Sequence, residues 1–103
     1  MKRMFAAIVE RSSSWDHAKP PQEQVGFDRH AKYMGGLESE GVIVMAGLLQ
    51  PSNDVLFIFH AESADEVRGR LAQDPWQQDG HARLARLEEL SIRTGPAEWL
   101  KKG

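Results

Sequence analysis

The sequence predicts an α+β domain with the order β-α-β-β-α-β, the ferredoxin-like split βαβ motif, built on a four-stranded antiparallel sheet. Three observations carry that expectation. Short apolar runs rich in Val, Ile and Phe alternate with segments whose apolar residues recur at spacings of three and four. Two of the runs flank a Pro/Ser/Asn/Asp turn. And 103 residues make one domain rather than two.

The first strand is Met4-Phe5-Ala6-Ala7-Ile8-Val9, too short for a helix. A polar connection follows from Arg11 to about Gln24, carrying Trp15 and the helix-stopping pair Pro20-Pro21. From Val25 to Glu40 the pattern turns helical, with Phe27, His30, Met34 and Leu37 on one stripe and Gly41 as the C-terminal stop. Val42–Leu49 and Val55–Phe59 read as a hairpin around Gln50–Asp54. Ser63 and Glu66 have capping-box spacing for a short helix that buries Ala64, Val67 and Leu71 and stops at Asp74-Pro75.

The last segment is ambiguous. Leu84, Leu87 and Leu90 stand at helical spacing, whereas Leu90–Arg93 alternates like a strand. A helix would leave the first strand without a partner on one side, so topology assigns a strand from Leu84 to Arg93.

Three of these strands are apolar at consecutive positions. A sheet covered by helices on one face and by water on the other should alternate. The second face is therefore expected to be covered by a second copy of the chain, giving a homodimer.

Composition narrows the chemistry. A formal net charge of -2 offers no basic excess for a phosphate backbone, so no nucleic-acid partner is expected. The first apolar run is too short for a signal-peptide core and no segment is long enough to span a bilayer, so a cytoplasmic protein without membrane association is expected. With no cysteine, thiolate nucleophiles and disulfides are excluded. His17, His60 and His81 lack the three- or four-residue spacing of helix-borne metal ligands, so no metal is expected. Ser12-Ser13-Ser14 lacks a nucleophile-elbow context, and no phosphate loop or dinucleotide fingerprint is present, so no cofactor is expected.

His30 and Asp74 remain. His30 shares the buried stripe of the first helix, and imidazole is the side chain that exchanges a proton near neutral pH. A hydrogen-bonded core histidine fits the same pattern. Asp74 ends a helix, where a negative charge opposes the macrodipole, so helix stability does not explain it. Paired with His30 it would fix the imidazole tautomer; alone it is an ordinary turn starter before Pro75. Trp15, Met45, Phe57 and Trp76 are candidates for an apolar pocket beside the pair, with Tyr33 at its rim.

The chain resembles YciI-like (YCII-related) proteins of the dimeric α/β-barrel superfamily over nearly its whole length. The resemblance lies in the Met4–Val9 strand, in His30-Ala31-Lys32-Tyr33-Met34 followed by Leu37 and Gly41, in Ala46-Gly47, and in Asp74-Pro75-Trp76 followed by Gly80. Two features depart from it: Gly47 is followed by Leu48 where members often have proline, and an Arg-Pro-x-His helix start is absent. The resemblance implies that two ferredoxin-like protomers pack into a dimeric barrel and that the last segment is a strand. It also implies that His30 and Asp74 act as a proton-transfer dyad. The expected function is a cofactor-independent enzyme for proton transfer or elimination on a small hydroxylated or carbonyl compound, in the manner of a dehydrochlorinase or isomerase. The alternative is a non-catalytic dimeric ligand-binding or interaction module with a structural histidine.

Overall fold

A computed structural model describes residues 1–96 and 98 of the chain. Its strands are β1 (Arg3–Arg11), β2 (Ile43–Leu49), β3 (Asp54–Ala61) and β4 (Ala82–Glu89). Its helices are α1 (Phe27–Ser39), α2 (Ala64–Ala72) and the short α3 (Pro75–Gln78). The strands form one antiparallel sheet in the order β2-β3-β1-β4. This small α+β architecture is consistent with a ferredoxin-like fold.

Each boundary has a local cause. Helix α1 closes in a Schellman turn: Gly41, at φ +77°, donates to the Glu38 carbonyl and Val42 to that of Leu37. The Ser63 hydroxyl caps α2 by accepting from Glu66 N–H at 3.1 Å, while the Glu66 carboxylate accepts from Glu62 N–H at 2.9 Å. The β2–β3 turn holds Asn53 at φ +67°, a conformation that asparagine tolerates.

Paired residues share a face, so register sorts the two sides of the sheet. Phe5, Ala7 and Val9 of β1 pair with Phe59, Phe57 and Val55 of β3 and pack under the helices. Leu37, Val67, Leu71 and Trp76 cover them. On the other face, Ala6 and Ile8 of β1 pair with Ile58 and Leu56 of β3. Met45 of β2 joins them opposite Ile58.

Two sequence expectations change here. The last strand runs Ala82–Glu89 rather than Leu84–Arg93. Beyond it, the Leu90 N–H still reaches the Met4 carbonyl at 2.9 Å, but residues 90–96 then border a groove on the outer face with Met45, Leu56 and Ile58. The chain after Asp74 is also not a plain connection: Asp74 caps α3, and its carboxylate accepts from Trp76 N–H at 3.2 Å. Aspartate at the cap followed by proline at the first helical position is a helix-start signal, which supersedes the reading of Asp74-Pro75 as a stop alone.

Candidate active site

Helix α1 starts at Gly26, whose φ of +82° turns the chain off the loop. His30 lies one turn in, its N–H bonded to the Gly26 carbonyl. That places the imidazole over the N-terminal end of α3. There His30 Nδ1 and Asp74 Oδ1 stand 2.7 Å apart. The Asp74 side chain is 2% exposed and that of His30 18%. A carboxylate oxygen accepts, so Nδ1 carries the proton and Nε2 presents its lone pair. Among the described residues, Nε2 has no hydrogen-bond partner.

The ring is held on its face as well as its edge. Trp76 stacks beneath it with centroids 3.7 Å apart and planes 14° apart. The indole is itself fixed, since Nε1–H donates to the Val25 carbonyl at 2.8 Å and Trp15 packs edge-on at 5.0 Å. The stack fixes the plane of the ring and with it the direction in which Nε2 points.

A cavity of about 140 Å³ opens beside the dyad. Phe27, His30 and Met34 of α1 form one wall, and Val9, Val55 and Phe57 of the sheet form the floor. Leu71, Asp74, Trp76 and Gln77 close the end, with Arg11 and Pro21 at the loop side. Apolar walls with a few convergent polar groups are the usual make-up of a small-molecule site.

The residues singled out in the sequence are distributed unevenly. His30, Asp74 and Trp76 meet at the cavity, and Phe57 lines it. Trp15 stands behind Trp76 and lines a neighbouring cleft with Pro20, Pro21 and Leu48. Tyr33 lies away from the cavity: its hydroxyl donates to the Arg70 carbonyl at 2.6 Å, and burial pushes its pKa up. Met45 lies on the outer face of the sheet and is not among the cavity residues.

Two polar cavity residues are absent from the sequence reading. Arg11, at the end of β1, lays its guanidinium over the Trp15 ring at 4.0 Å and forms no side-chain ion pair or hydrogen bond among the described residues. Burial lowers its pKa, with the Asp54 charge acting the other way. Gln77, in α3, has a buried Nε2 with no hydrogen-bond partner. An unmade bond of that kind costs roughly 1–3 kcal/mol. Nothing in the spacing of either residue signals its position; both depend on α3 and the β1 register.

A second histidine–aspartate contact, His81 Nδ1 to Asp79 Oδ1 at 2.8 Å, belongs to a local turn in which Asp79 also accepts from His81 N–H. It does not line the cavity. Among the described residues no group of three or more His, Cys, Asp or Glu side chains could hold a metal ion, and no helix is long and apolar enough to cross a membrane.

No family model and no curated protein matches the chain. A solved structure titled "Structural Genomics, protein YJCS" is similar to it over 90% of this chain and 100% of that one. The TM-score is 0.51 and the sequence identity 14%, a likeness of fold alone.

Proposed function

We propose that the protein is a cofactor-independent general acid–base enzyme of YciI-like type, acting on a small hydroxylated or carbonyl compound. The observation that carries this is the 2.7 Å His30–Asp74 contact at the wall of an apolar cavity. In the reaction, His30 Nε2 takes a proton from an acidic C–H or O–H of the substrate. Asp74 holds the imidazole in the required tautomer and stabilises the imidazolium, and Trp76 keeps the ring in its plane. The proton then returns to another substrate atom, for isomerisation, or to a departing group, for elimination. The functional unit is a homodimer joined through the outer sheet faces.

Proton exchange tests the reading. The protein is incubated in D2O with a panel of phenols, enols and β-dicarbonyl compounds, and loss of substrate proton signals is followed by NMR. Exchange with at least one compound, reduced about 10²–10⁴-fold in His30→Asn, is the expected result. Binding without exchange across the panel would instead support the non-catalytic ligand-binding module.

A further inference from the structure

The cavity is not uniformly apolar, and two unsatisfied donors line it besides the dyad. Gln77 contributes an amide nitrogen buried without a partner. Arg11 contributes a guanidinium that touches Trp15 but is paired with no described carboxylate. Both residues line the same cavity as His30. Asp74, the acidic group on that wall, is already engaged by His30 and by the Trp76 N–H. Asp54 acts on Arg11 only as a neighbouring charge.

From this arrangement we infer that the ligand is a small organic acid, one ring or a chain of similar bulk, whose carboxylate is taken by Arg11 and Gln77. A guanidinium suits a carboxylate because its planar N–H groups match the two oxygens, and the amide N–H adds a further donor. The Arg11 cation, on a cavity whose one carboxylate is already paired with His30, selects an anion over an amine. Phe27, Met34, Val55 and Phe57 then hold the apolar body. Size sets the other limit. An engineered apolar cavity of about 150 Å³ takes benzene, and this one measures about 140 Å³. The inference deepens the enzyme reading and rests on it only for which end of the ligand faces His30 Nε2.

Benzoate and 2-furoate serve as probes, with benzyl alcohol as the neutral counterpart, in two-dimensional amide NMR titrations of the full chain. The same spectra report whether each variant is folded. At least one acid should shift the Gln77 side-chain amide and the Arg11 Nε–H resonances, with benzyl alcohol binding about tenfold or more weakly. Arg11→Gln should weaken acid binding about tenfold or more, Arg11→Lys should retain part of it, and Gln77→Leu should weaken it several-fold. Equal binding of the neutral ring, unchanged acid binding in Arg11→Gln, or no shift with either acid would overturn the inference. Failure of the enzyme reading looks different: the acids bind as described, and no compound of the exchange panel loses a proton. Exchange of neutral compounds that is unaffected by Arg11→Gln would overturn the acid inference while leaving the enzyme reading intact.

Discussion

Asp74 serves two partners through one oxygen, since Oδ1 accepts from the His30 ring and from Trp76 N–H. Its substitutions should therefore separate fold from chemistry. Asparagine caps a helix about as well as aspartate, so Asp74→Asn should fold with a stability within about 1 kcal/mol of the parent. It should still lose proton-transfer activity, because the carboxylate behind the imidazole is gone. Asp74→Ala loses the cap, worth about 1 kcal/mol, and leaves the Nδ1–H of His30 unpaired, at about 1–3 kcal/mol. Denaturant unfolding should show a drop of roughly 2–4 kcal/mol on those two terms. Equal stability losses in both variants would mean that the carboxylate's charge, rather than its geometry, holds this corner together. Tyr33 gives a second test at this scale, helped by its being the sole tyrosine. Burial disfavours its phenolate, so the folded chain keeps the phenolic proton at pH values where the unfolded chain has lost it. The unfolded state then binds fewer protons, and stability falls as pH rises from about 10 upward. Phenolate absorbance should show a higher midpoint for native protein than for protein in denaturant. Tyr33→Phe should remove that difference and cost about 0.5–1.5 kcal/mol for the bond to the Arg70 carbonyl.

Helix α3 is only four residues long, yet it positions most of the site. Its cap orients His30, its Trp76 stacks on the same ring, and its Gln77 supplies the orphan amide. Trp76 also ties α3 to the start of α1 through the Val25 carbonyl. Trp76→Phe keeps an aromatic surface but deletes that bond and part of the packing. A loss of about 1–3 kcal/mol in denaturant unfolding is expected, along with weaker protection of the Gly26–His30 amide against hydrogen exchange. A variant as stable as the parent, with unchanged exchange, would show that α1 starts independently of α3. Legibility from sequence divides at this same element. Helix α1 and the β2–β3 hairpin were legible because period and turn chemistry agree there. The stripe of Phe27, His30, Met34 and Leu37 points His30 towards the sheet, and the structure brings its ring to Asp74. Helix α3 is not legible because Asp74-Pro75 reads equally as a helix stop and a turn, although Asp-Pro is also a start signal. The end of β4 was misplaced because Leu90–Arg93 alternates like a strand, and alternation does not reveal that the chain has left the sheet. Met45 is only a pocket candidate in the sequence, because β2 is apolar on both faces and pattern alone cannot say which face a residue takes.

The whole molecule has two sheet faces of different finish. The three helices cover the inner face over β1 and β3, where Phe59 and Val67 are fully buried. The outer face carries Ala6, Ile8, Leu56 and Ile58 in register, with Met45 opposite Ile58 and 45% exposed. Leu49, paired with Asp54 on the same side, is 38% exposed. Residues 90–96 border this face without closing it, because a groove remains between them and Met45, Leu56 and Ile58. A face of this kind is stabilised by a matching one, and a two-fold pairing lets the same residues serve both sides. The proposed homodimer therefore makes a specific demand on Met45. Light scattering should give about twice the chain mass of 11.6 kDa. Met45→Glu puts a charge opposite Ile58 and should shift the mass towards that of a single chain, while the His30–Asp74 contact on the other face stays in place. Replacing Leu48, which is 51% exposed but pairs with Val55 on the helix side, should leave the mass unchanged. A parent protein that scatters as a single chain would overturn the dimer. A Leu48→Glu variant that dissociates as readily as Met45→Glu would move the interface from the outer face to the β2 edge.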